Sequence, residues 1–144
     1  MAAAAWAFYN KFKEYMADGT LDLDTDIFKL SLHKSTSNAS TATLSTYASV
    51  TNEVDNGNGY TTGGKTLSAT TWSVGASASE MRFDGTAAIW TASGGSVASI
   101  MYAVLRESAG KLVCWSKLSS SVFAVTDGNT LTITPSANGV FELN

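Results

Sequence analysis

The sequence predicts a mainly-β fold, an antiparallel β-sandwich or barrel-like sheet with one N-terminal amphipathic helix. Three observations carry this. Roughly seven or eight short apolar or β-branched runs are separated by Gly, Asn, Asp and Ser at intervals of about 8–12 residues, the rhythm of an antiparallel all-β domain. Only one stretch has helical spacing. No helical runs alternate with the strands, so a parallel α/β sheet does not fit.

The helical stretch comes first. Between Ala5 and Met16 the residues Ala5, Phe8, Phe12 and Tyr15, with Tyr9 and Met16, recur three and four apart, while Asn10, Lys11, Lys13 and Glu14 take the opposite face. Asp18-Gly19 is a stop signal, so a helix is predicted over 5–18. Its aromatic stripe is expected to cover the domain's own sheet rather than dock elsewhere, because most amphipathic helices pack intramolecularly. From Gly19 the period becomes two. Leu21 and Leu23 alternate with Asp22 and Asp24, and Phe28, Leu30 and Leu32 alternate with Lys29 and Ser31 as in a half-buried strand. Residues 35–49 are mostly Ser, Thr and Ala, with Leu44 and Tyr47 as sparse apolar members; a surface excursion is predicted, with a short helical turn near Tyr47.

Asp55-Asn56-Gly57-Asn58-Gly59 is the strongest turn signal. Extended chain is predicted from Tyr60 to Val74, broken at Gly63-Gly64. Strands follow at Met81–Phe83 and Ala87–Thr91 around Asp84-Gly85. Val97–Arg106 and Lys111–Leu118 form a predicted hairpin across Ala109-Gly110, and Leu131–Thr134 and Val140–Leu143 flank Pro135 and Gly139. Phe28, Leu30, Leu32 and alternate residues of Val97–Leu105 are the predicted core.

A length of 144 residues suits one domain, the helix at 5–18 and a β-rich body over 20–144. Charged residues make up 15%, against roughly 25% in typical soluble domains. Short neutral side chains replace them, and these lose little entropy when covered by a partner. The net charge is −3, and the nine cations form no cluster, so no direct nucleic-acid binding is expected. Cys114 is the only cysteine and lies in the apolar run Leu112–Trp115, so a buried inert thiol is expected. The start, residues 1–5, has no basic region ahead of an apolar core, and no run reaches the roughly 18 apolar residues of a membrane span. Neither a leader peptide nor a membrane partner is expected.

Several motifs invite chemistry. Asp22, Asp24 and Asp26 form D-x-D-x-D, but Ile27 and His33 stand where a calcium loop needs Gly and Glu, and solvation of one strand face explains the carboxylates. His33 is the only histidine and no G-x-S-x-G accompanies it. Glu80 and Glu107 form a hydrolytic pair only if folding joins them. Gly59, Gly64, Lys65 and Thr66 match G-x-x-x-x-G-K-[ST], yet a polar turn precedes them and the β-branched Leu67–Trp72 follows, where a phosphate loop needs a strand and a helix. Trp6, Trp72, Trp90 and Trp115 are spread along the chain, which favours core and interface over a sugar platform. No catalytic, cofactor or metal residue is assigned, and no enzyme activity is expected.

Three segments together resemble a family of small tailed-phage virion proteins. They are Leu21–Leu30 with its L-D-L-D-T-D start, Asn52–Leu67 with N-E-V, G-Y-T-T-G-G and T-L, and the pair Ala87–Trp90 and Tyr102–Leu105. Their order and spacing cover most of the chain, which departs from the pattern at 35–49. The resemblance implies a structural protein on the capsid exterior, a decoration or cement protein that binds the major capsid protein and gathers as a homotrimer. A tail or baseplate component, or a carbohydrate-binding module for host recognition, is the alternative.

Overall fold

The computed structural model describes residues 4–144. Of the N-terminal run weighed as a leader, residues 1–3 lie outside the described residues. In chain order the elements are β1 (Ala7–Phe8), α1 (Asn10–Ala17), β2 (Phe28–Lys34), a 3-10 turn (Tyr47–Ser49), β3 (Lys65–Thr66), β4 (Thr71–Val74), β5 (Met81–Asp84), β6 (Ala88–Thr91), β7 (Val97–Glu107), β8 (Leu112–Lys117), β9 (Phe123–Val125), β10 (Thr130–Ile133) and β11 (Phe141–Leu143). The main sheet runs β1-β8-β7-β2-β3, with β9 also paired to β7; β10-β6 and β11-β5-β4 form two smaller sheets. Every pairing is antiparallel. Both ends of the main sheet stay open, so the fold is sandwich-like and not a closed barrel.

The helix is shorter than its spacing predicts. It covers Asn10–Ala17 instead of 5–18, because the residues before it complete the edge of β8: Ala7 and Phe8 pair with Trp115 and Cys114, and Tyr9 stays extended. An unpaired strand edge gives aromatic residues backbone partners that a frayed first helical turn cannot. The stripe survives the change of conformation, since the Phe8 and Phe12 rings stack at 5.2 Å and both meet Phe141. The helix ends as predicted, with the Asp18 N–H on the Glu14 carbonyl and Gly19 at φ +74°.

Leu21 and Leu23 are buried as their alternation implies, but their segment is a turn rather than a strand. The aspartates themselves cause this. The Asp22 carboxylate accepts from the Asp24 and Thr25 N–H groups, and the Asp26 carboxylate from the Asp22 N–H at 2.8 Å. Such local bonds compete with a sheet ladder. The strand β9 was not anticipated; it is three residues long and follows a run of serines.

Phe28, Leu30 and Leu32 face the main core with Val97, Ala103 and Leu105 of β7, where residues of all three sheets meet, Phe83, Trp90 and Phe141 among them. The expected alternation of β7 fails at Ser99, which is exposed because a bulge between Val97 and Ile100 turns Ile100 inward instead. The second face of β2 departs from expectation. It is not solvated: Ser31 and His33 are buried, because residues 35–54 fold back over β2, β7 and β8. The sparse apolar residues of the excursion hold it there. Ala39, Leu44, Tyr47 and Val50 pack with Tyr9, Val104 and Leu112, and the Tyr9 hydroxyl donates to the Ala39 carbonyl at 2.6 Å. The predicted helical turn is present at Tyr47–Ser49. No helix among the described residues is long and apolar enough to cross a membrane.

Candidate functional site: a polar cluster beneath the 35–54 flap

Residues two apart on a strand share a face, so β2 presents Ser31 and His33 together to the flap. The Asn52–Val54 stretch runs along the end of β2, with the Lys34 N–H on the Asn52 carbonyl and the Val54 N–H on the Leu32 carbonyl. This brings Thr51 and Glu53 to the cluster. His33 Nδ1 lies 3.3 Å from the Thr51 carbonyl oxygen and Nε2 lies 3.0 Å from Ser31 Oγ. A carbonyl only accepts, so Nδ1 carries the proton and Nε2 accepts from the serine hydroxyl.

Tyr47 closes the cluster from the flap side. Its ring meets His33 edge-on at 5.9 Å, and the Arg106 guanidinium lies 3.9 Å from its centroid. Arg106 also donates to the carbonyls of Gly63 and Ser108 at 3.1 and 3.0 Å. The Glu53 carboxylate accepts from the Tyr60 hydroxyl and the Gly63 N–H, each at 2.6 Å, and Tyr60 Oη accepts from the Leu32 N–H. Burial pulls the His33 imidazole below its usual range, with Arg106 working in the same direction against the Thr51 carbonyl and Glu53. Burial also pushes the Tyr47 phenol up to about 12.

A serine hydroxyl on a histidine nitrogen is the pairing used for nucleophilic catalysis. Here Ser31 and His33 are 0% and 1% exposed, sheet on one side and flap on the other. A nucleophile must reach substrate and face an oxyanion donor; this hydroxyl instead stays within the sheet, against His33 Nε2 and the Val104 carbonyl, while His33 Nδ1 ties sheet to flap at Thr51. The sequence assigns no site role to Ser31, Tyr47, Glu53 or Arg106, although it places Tyr47 at a helical turn and Glu53 within N-E-V. The usable signal was Ser31 two positions before His33 on a strand.

The other flagged residues fall elsewhere. Asp22, Asp24 and Asp26 shape their own turn, and no group of three or more His, Cys, Asp or Glu among the described residues is placed to hold a metal ion. Lys65 and Thr66 form the exposed edge strand β3, with no helix after them. Gly59 and Gly64 have a packing reason: a Cβ would collide with the Thr91 carbonyl oxygen at the first and with the Leu30 carbonyl oxygen at the second. The Glu80 carboxylate accepts from the Ser77 N–H in the β4–β5 turn. Glu107 belongs to the β7–β8 hairpin; burial opposes its charge, but the Ala109 N–H, the Ser108 hydroxyl and Lys111 prevail and hold it below the usual carboxylate range. Trp90 is buried in the core, and Trp6, Trp72 and Trp115 are half-buried. Cys114 is fully buried and its thiol is pushed well up. Comparison with known proteins finds no matching family model, no similar curated protein and no matching solved structure.

Proposed function

We propose that the chain is a non-enzymatic phage virion structural protein, a decoration or cement protein that sits on the capsid exterior and binds the major capsid protein, most naturally as a homotrimer. The observation that carries the proposal is the Asn52–Leu67 segment, the most specific part of the resemblance. Its residues have architectural work: Glu53 bonds Tyr60 and Gly63, and Gly59 and Gly64 stand where backbone passes backbone. That is how a fold signature behaves, and it accounts for the phosphate-loop match without a nucleotide. The burial of Ser31 and His33 supports a structural role for the one pairing that resembles catalytic machinery. A surface with few charges and many short polar side chains suits permanent contact with neighbours.

Electron microscopy of the particle that carries this chain tests the proposal. Density for the domain on the outer capsid surface, bridging neighbouring subunits, is the expected result. Density in the tail tube or baseplate overturns the capsid assignment in favour of a tail component.

A further inference from the structure

The connection from α1 to β2 leaves a groove of about 280 Å³, lined by Met16, Gly19, Leu21, Asp22, Leu23 and Trp72. Its floor is apolar. Leu21 and Leu23 are buried, and Met16 and Trp72 are half-buried, so they keep apolar surface within reach of a visitor. Its rim is acidic. Asp22 lines the groove, Asp18 and Asp24 adjoin its lining residues Gly19 and Leu23, and the Asp26 carboxylate is taken up by the Asp22 N–H; the cations that act on Asp18, Lys11 and Lys111, are not among the lining residues. None of the four aspartates is in an ion pair among the described residues. Asp18 and Asp22 are held below the usual carboxylate range, Asp18 by the Thr20 hydroxyl and N–H and Asp22 by the Asp24 N–H and Thr25, so both are charged at neutral pH.

We propose that this groove docks a protein segment bearing one large apolar side chain flanked by lysines or arginines, supplied by the partner on which the domain sits. The proposal rests on the reading of the chain as a protein-binding domain. An apolar anchor in a pocket supplies affinity, while rim charges of one sign speed encounter and reject like-charged segments. The occupant comes from another protein and not from a second copy. The chain's own basic-apolar run, Lys11-Phe12-Lys13, has its Phe12 buried in the core.

The test is a titration of the full-length ¹⁵N-labelled chain, followed by NMR, with a peptide of one leucine between two pairs of lysines. Peptides with glutamate pairs, or with serine in place of leucine, serve as comparisons. Saturable shifts at amides 19–23 and at the Trp72 indole are expected with the first peptide alone. Asp22→Asn removes a charge from the lining and should weaken it about threefold, as expected for an exposed charge pair; the amide oxygen still accepts from the Asp24 and Thr25 N–H groups, so the turn is kept. No saturable shift, shifts elsewhere, or equal binding of the glutamate peptide overturns the groove. Co-sedimentation with particles is read separately. Attachment by a chain that ignores the peptide defeats the groove alone, and peptide binding by a chain never found on particles defeats the virion assignment alone.

Discussion

At the residue scale, stability concentrates in side chains buried on both faces of β2. Phe28 is fully buried and meets Phe83 edge-on at 4.8 Å, so it joins the main sheet to the three-stranded one. Phe28→Ala should cost about 3–5 kcal/mol, read from denaturant midpoints; a variant that melts like the parent would show that the two sheets do not lean on this ring. His33 faces the opposite way and makes stability depend on pH. Its folded pKa lies below the ordinary value of 6.5, so the unfolded chain binds more protons on the acid side of that value. The contribution is therefore complete above about pH 6.5 and is lost as pH falls below it toward the folded pKa, by up to about 1.4 kcal/mol for each pH unit. Arg106, Glu53 and Tyr47 face the same imidazole, but His33 is the only histidine, so the window from about pH 6.5 to 5.5, above the range where Glu107 begins to contribute, reports mainly on it. Urea midpoints measured across that window should slope in the parent and flatten in His33→Gln; parallel curves would remove the histidine from the account. The inward triplet Phe28, Leu30 and Leu32 was legible from alternation. The burial of Ser31 and His33 was not, because alternation reports one covered face and is silent about a second lid of Ser, Thr and Ala.

At the element scale, sequence and structure part where one residue set satisfies two patterns. The spacing of Ala5, Phe8, Phe12 and Tyr15 fits a helix throughout, yet the chain spends Ala7–Phe8 on the edge of β8 and starts the helix at Asn10. No local signal separates these, since the deciding partner is more than a hundred residues away. The hairpin at Ala109-Gly110 was legible because its information is local. The Gly59–Thr66 segment was legible in a different way: its flanks already spoke against a phosphate loop, and the close backbone approaches explain the glycines. Gly64→Ala should therefore cost about 1–3 kcal/mol, from a forced backbone shift against β2. Lys65→Ala, on the exposed edge, should stay within about 0.5 kcal/mol of the parent. Calorimetric titration of the parent chain with ATP should show no binding. An ATP affinity that vanishes in Lys65→Ala would reverse this assignment.

At the scale of the whole molecule, the surface decides how the domain meets its neighbours. With a net charge of −3 and few charged side chains, long-range attraction can only modestly guide encounter, and most of it arises from the acidic turn at 18–26. What holds a formed contact must then be shape and close packing, with the Ser/Thr-rich stretch 35–49 or the exposed loop 55–59 as the contact surface. The flap's anchoring through Ala39, Leu44 and Tyr47 makes 35–49 a preformed surface rather than a loose one, which lowers the ordering cost of binding. Salt should therefore separate rates from persistence. Raising ionic strength screens exposed charges and slows association, while dissociation, set by the packed contact, barely changes. On the proposed capsid role, domains already seated on the shell should stay bound through a salt step that slows fresh loading, and sedimentation of the free chain should return a trimer. Rapid loss from particles after a modest rise in salt would mean that charge pairs hold the complex, and a monomeric free chain would remove the proposed trimer.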